Sequence, residues 1–188
     1  MAEHGRLSGI QRHLESIYAL QVPAAVGEYV IGDAQLQQLV EAGLVAPDLL
    51  DTHEQVLVLP EGDEVSLAVY LSDAVRSGLD AGGSLQDHCH ATEGVSHFLL
   101  LVWSAGQGRP LRRLDLELQA EIDKASTVLL LEHGASGGRG RRDLLRRLFG
   151  SVNFAAHLEP HERERYREAH RLAARYADRL SDLLDDGV

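Results

Sequence analysis

Apolar residues near the start of the chain fall at Ile10, Leu14 and Ile17, the three-to-four spacing of one helix face. This predicts a helix over residues 7–20, broken by Pro23. Residues 27–31 read as a short extended piece. Asp33 is placed to cap a helix that runs to Val40 and ends at Gly43. The period then changes to two. Val56, Leu57, Val58 and Leu59 lead into Pro60, Glu61, Gly62 and Asp63, and Val65, Leu67, Val69 and Leu71 alternate with Ser66, Ala68 and Tyr70. Two β-rich runs around a Pro/Gly/Asp turn predict a hairpin over 54–71. Two strands are marginal alone, so the hairpin must pack on a helix or meet a third strand.

From residue 72 onward the helical period returns. The pattern predicts a short helix over 73–80 and a long one over 84–105 with Ser84 as its cap. Pro110 then reads as a first-turn residue of a second long helix ending near His133. Residues 134–140 are glycine-rich and read as a flexible loop. A short helix over 141–149 and a final one from Pro160 to about Leu184 complete the chain. The fold class expected is mainly α with a small β-hairpin (α+β): an antiparallel bundle of long helices with the hairpin packed on one side. The whole of 1–188 is expected to be a single domain, with a helical part over 1–50, the hairpin over 54–71 and the bundle over 72–185.

Composition narrows the classes. The 188 residues are 44% apolar, enough for a core that offsets the entropy of folding. The longest apolar run, 98–103, is six residues, against roughly 20 for a bilayer span. The only cysteine is Cys89, so no internal disulfide supports the fold. With no apolar leader over residues 1–8, a cytoplasmic location is expected. The net charge of −11 is uneven: residues 1–100 hold 3 basic and 15 acidic side chains, residues 101–188 hold 15 and 14. That acidic front half disfavours a general nucleic-acid binder.

No phosphate-binding glycine loop, dinucleotide fingerprint, zinc-protease helix or serine elbow is present. His88, Cys89 and His90 are adjacent, and successive residues of a helix point about 100° apart, which prevents a shared grip on one ion. A better constellation lies on the long helices. On the 84–105 helix, Ala91, Val95, Phe98, Leu99 and Val102 form an apolar face. Gln86, His90, Glu93, His97 and Ser104 form a polar stripe opposite. On the next helix Leu111, Leu114, Leu118, Ile122, Ala125 and Leu129 form the apolar stripe, and Glu121 intrudes between Leu114 and Val128. Glu117 lies one turn before it and Lys124 one turn after. His170 lies at the edge of the last helix's Ala173/Ala177 face.

These residues support two main readings. Glu93, His97, Glu121 and His170 could converge from three helices as a divalent-metal site, with His90, Glu117 and Lys124 around it. Such sites usually carry Glu-x-x-His pairs, whereas this chain has Glu-x-x-x-His. Alternatively the residues form a structural polar network, in which Glu121 pairs with Lys124 or with a histidine of the neighbouring helix. Acid–base catalysis without a metal is a third use of the same groups.

Arg139, Arg141, Arg142, Arg146 and Arg147 follow the glycine loop. They read as a face for an acidic protein partner or, lacking interleaved aromatics, less readily for RNA. Arg165 and His170 have an R-x4-H spacing that resembles the active pattern of HEPN ribonucleases, which are helical and dimeric. The resemblance covers six residues; Tyr166 replaces a usually polar neighbour, and the hairpin is foreign to that fold. The function expected is a non-enzymatic protein-binding or regulatory domain, acting with a protein partner or by self-association and without a membrane. A metal-binding or metal-dependent helical protein is the alternative, and an RNA-associated protein using the arginine cluster the third.

Overall fold

A computed structural model describes residues 3–62, 64–131, 138–150 and 159–185. These residues form seven α-helices and three strands, so the chain is mainly α with a small β part. The backbone divides into two compact units, Met1–Pro110 and Leu111–Val188. The division falls within the 72–185 segment that the hydrophobic pattern reads as one bundle.

In the first unit α1 (Glu3–Tyr18) precedes a 3-10 turn at Val26–Glu28 and the two-residue strand β1 (Val30–Ile31). Helix α2 (Asp33–Glu41) and a second 3-10 turn at Pro47–Asp51 lead to β2 (Glu54–Glu61) and β3 (Glu64–Leu71). Two more helices, α3 (Asp73–Asp80) and α4 (Leu85–Gly106), complete the unit. The expected hairpin is antiparallel, with Val56 opposite Val69 and Val58 opposite Leu67. Gly62 takes the left-handed backbone (φ 62°) that the tight turn demands. The third strand is β1, parallel to β3 with Val30 beside Val69, so the sheet order is β1-β3-β2.

The strand period of two divides the sheet into faces. Val69 and Leu71 join Leu7, Ile10 and Leu14 of α1, Val75 and Leu79 of α3, and Ala91, Val95, Phe98 and Leu99 of α4 in the main core. All four of these α4 residues come from the predicted apolar face. On the other face Leu57 and Tyr70 pack with Leu36 of α2. Gln11 ties α1 to the segment that leads into β1: its side chain donates to the Ala24 carbonyl at 2.9 Å and accepts from the Val26 N–H at 2.8 Å.

Cap positions agree closely with the sequence, with one difference. Ser84 caps α4, and Asp87 returns a bond to the Ser84 N–H at 2.8 Å. At α2 the cap is Gly32, not Asp33. The Asp33 carboxylate instead accepts from the Tyr70 hydroxyl at 3.0 Å and the Asp73 N–H at 3.2 Å, joining α2, β3 and the start of α3.

The second unit holds α5 (Arg113–Leu131), α6 (Gly138–Phe149) and α7 (Pro160–Asp185). Arg141 of α6 meets Asp185, while Phe149 meets His170, so α6 runs antiparallel to α7. Ala125, Leu129, Leu145 and Ala177 form their shared core, lined by Leu148, Phe149, Leu180 and Leu184. The result is a three-helix up-down-up bundle. Two boundaries differ from expectation. Helix α5 starts at Arg113, so Pro110 precedes it instead of entering its first turn. Helix α6 starts at Gly138, so the helix takes up part of the glycine segment, while the 134–137 part of the expected loop lies outside the described residues.

Candidate functional site

The sequence-derived residues fall into separate groups. Glu93, His97 and His90 belong to α4 of the first unit, and Glu121 and His170 to α5 and α7 of the second.

In the second unit Glu121 is held from two sides. Its Oε1 accepts from Lys124 Nζ at 2.9 Å, one turn along α5, and its Oε2 stands 3.4 Å from His170 Nδ1. The other ring nitrogen of His170, Nε2, lies 3.3 Å from the Phe149 carbonyl. Both ring nitrogens therefore face oxygen acceptors, and only the imidazolium can donate to both. Burial alone would raise the Glu121 carboxyl, but the His170 hydrogen bond and the Lys124 charge outweigh it and hold the group at about 2. The hydrogen bond to Glu121 raises His170, against the opposing effect of burial. A ligating histidine needs a neutral ring with an available lone pair, and this geometry favours neither. Glu117, one turn before Glu121, is half-buried. Arg165 lies over the Tyr166 ring, 5.4 Å from its centroid, while the ring of His170 is engaged by Glu121 and Phe149.

In the first unit, the polar stripe of α4 lies against the start of β2. Glu54 has the same strand parity as Val56, so its side chain turns toward α4. Its Oε1 stands 3.6 Å from His97 Nδ1, and both side chains are nearly buried: Glu54 is 8% and His97 13% exposed. Gly94, one turn before His97, permits this approach: a Cβ there would lie 3.3 Å from Glu54 Cγ and 3.1 Å from Val69 Cγ1. Farther along the stripe the rings of His53 and His90 are 5.3 Å apart, and Gln86 Nε2 is 3.0 Å from His90 Nε2. Cys89 is buried.

Sequence reasoning passes over Glu54, and also over Asp123, Ser126 and Thr127, which are buried on α5. The signal for Glu54 is present in the chain, since it continues the alternation of Val58 and Val56 by one step.

The arginine group divides. Arg141 is buried and paired with Asp185, which sets it apart from an exposed partner face. Arg142 and Arg146 are exposed, and Arg147 is exposed beside them. Arg146 pairs with Asp143, and Arg142 lies 3.8 Å from Asp185. The Arg139 side chain is outside the described residues. Among the described residues no helix is long and apolar enough to cross a membrane. Set against protein-family models, curated proteins and solved structures, the chain has no match.

Proposed function

We propose that this protein is a non-enzymatic binding or regulatory module whose contact surface is the outer half of the hairpin. One observation carries the reading. Beyond Glu54, the hairpin face made by Val56, Val58 and Pro60 opposite Val69, Leu67 and Val65 is apolar as far as the turn. Its inner end packs into the core, yet at its outer end Val58 is 53% and Val65 71% exposed. Exposed apolar surface rimmed by charge is characteristic of interaction sites. The rim here is acidic: Glu61 and Glu64 flank the turn. Strand β2 pairs with β3 alone among the described residues, which makes it an edge strand of the sheet, the position at which a peptide can add as a further strand.

The partner this surface suits is a basic, apolar-alternating protein segment. Residues 1–110 hold 4 basic and 15 acidic side chains, whereas residues 111–188 hold 14 of each. The field that steers a partner therefore comes from the first unit. Arg142 and Arg146 of α6 have carboxylates beside them, which weakens their claim as the main docking face. A single, buried cysteine outside any disulfide supports a reducing compartment, such as the cytoplasm.

The test is fluorescence anisotropy with two labelled six-residue peptides, one alternating Lys and Val, the other Glu and Val. The basic peptide should bind the wild type, weaken with added salt, and lose at least tenfold in affinity with the Val58→Asp/Val65→Asp double variant. Equal binding of both peptides, or equal binding by the double variant, would overturn the proposal, as would no binding of either.

A further inference from the structure

We infer that the partner strand adds antiparallel to the outer edge of β2, bonded through the backbone of Val56 and Val58, and that Pro60 ends this ladder. The inference rests on the hairpin reading above and deepens it with a mode, a direction and a register of docking.

The register of the hairpin decides which backbone groups face the edge. In an antiparallel pair, opposed residues alternate between those that exchange hydrogen bonds and those whose N–H and C=O turn outward. Three bonds fix the phase. The Val69 N–H donates to the Tyr29 carbonyl at 2.8 Å, so Val69 turns its backbone away from β2. Val56 is opposite Val69, and therefore turns the other way, to the outer edge. The Ser72 N–H donates to the His53 carbonyl at 3.0 Å, which puts the odd-numbered residues of this stretch on the β3 side. Gln55 Nε2 reaches the Val56 carbonyl at 3.4 Å, as a carbonyl on the outer edge permits. Val56, Val58 and Pro60 thus share the outward phase.

Pro60 has this phase but no N–H. It stands opposite Val65, where the ring costs the hairpin no bond, because the missing donor would point outward. Proline inside a sheet is confined to edge strands for this reason. The edge of β2 offers the N–H and C=O of Val56 and of Val58, and then a carbonyl alone at Pro60.

Side chains set the direction. In an antiparallel pair the residue that exchanges both bonds with Val56 is the one opposed to it, and opposed residues share a face. A strand that alternates Lys and Val then lays its valines beside Val56 and Val58. Its lysines fall on the other face, where Glu61 and Glu64 stand opposite each other at the turn. Both glutamates are exposed, and the Ser66 hydroxyl orients Glu61 by donating to it at 2.6 Å. In a parallel strand the residues flanking the opposed one carry the bonds, so the lysines would have to supply the N–H groups. The antiparallel ladder is the more stable of the two. It also brings the amino terminus of the partner strand toward the two glutamates.

The experiment uses the full chain and three labelled Lys/Val hexapeptides: unmodified, N-methylated on every valine, and N-methylated on every lysine. Anisotropy titrations should show at least a tenfold loss for the valine-methylated peptide and binding within about twofold of the unmodified one for the lysine-methylated peptide. In amide exchange followed by NMR, the unmodified peptide should slow Val56 and Val58 and leave Leu57 and Leu59 unchanged. Pro60→Val supplies a donor at the end of the ladder and should tighten the unmodified peptide about threefold. A loss confined to the lysine-methylated peptide would overturn the antiparallel direction. Unchanged affinity of Pro60→Val would overturn the role of Pro60. Equal binding of all three peptides, or no slowing at Val56 and Val58, would overturn strand addition and leave the hairpin face as a surface for side chains alone. Failure of the unmodified peptide to bind would remove both this inference and the reading on which it rests.

Discussion

His170 and Glu121 are partners across α7 and α5, with Nδ1 and Oε2 separated by 3.4 Å and the opposite nitrogen turned to the Phe149 carbonyl. The pair fixes the register of three helices at one point. Glu121→Ala should therefore strand a protonated imidazole and the Lys124 ammonium together. A loss of about 3 kcal/mol is expected, at the low end for breaking a buried ion pair because the group keeps some solvent contact. Urea denaturation of the single and double variants checks it: Glu121→Ala and His170→Gln combined should cost clearly less than the two costs added.

The same pair gives the stability a pH window with a defined sign. His170 is raised above its ordinary 6.5, so its contribution is complete below 6.5 and is lost as pH rises through the folded value. Glu121 is lowered from 4.5 to about 2, so its contribution is complete above 4.5 and is lost as pH falls toward 2. Thermal melts should show the second unit most stable between about 4.5 and 6.5, with an alkaline decline above that. His170→Gln should remove the decline; an unchanged slope in that variant would refute the assignment.

Tyr70 is the second titratable marker. Burial first, and then its hydrogen bond to the Asp33 carboxylate, push its phenol up to about 12. Asp33→Asn keeps the shape and removes the charge. Ultraviolet titration should show one tyrosine moving back toward its ordinary range, and Tyr70→Phe should cost about 1 kcal/mol.

Gly94 offers a purely steric test. Val69 is fully buried and Glu54 is held against His97, so neither can retreat from an added side chain. Gly94→Val should destabilise the protein by about 2 kcal/mol through overpacking, in spite of the flexibility that glycine gives the unfolded chain. An unchanged midpoint in guanidinium chloride would mean that the strand can move away from α4.

Much of the fold is legible in the sequence because period is a local property. The alternation from Val56 to Leu71 and the three-to-four recurrence from Ala91 to Val102 each need only one stretch of chain. The α3 bounds and the Ser84 cap depend on single residues. What local pattern cannot give is which polar group meets which. Asp33 looks like a cap, but Tyr70, 37 residues later, engages it along with the Asp73 N–H. Glu121 stands out as an intruder in an apolar arc, and spacing alone offers Lys124 as a partner. His170 groups with it as a ligand in the sequence because it lies at the edge of the last helix's alanine face; that both of its nitrogens face acceptors needs the position of the Phe149 carbonyl. Glu54 lies within the hairpin expected over 54–71, but an apolar alternation does not single out the carboxylate at its first position. Arg141 looks like its exposed neighbours, though it faces inward onto Asp185, the last described residue of α7.

The parallel pairing of β1 with β3 has a consequence for the order of folding. The hairpin closes across a two-residue turn, an event of microseconds. Val30 reaches Val69 only after about forty residues of intervening chain have been looped back, and only two residues of β1 reward that closure. Strand β1 is also delivered to its place by the Gln11 bonds at Ala24 and Val26. It should therefore join the sheet late, after α1 has docked, and be the first strand to leave. In native-state hydrogen exchange the Val69 amide, which donates to the Tyr29 carbonyl at 2.8 Å, should open more readily than the hairpin amides beside it.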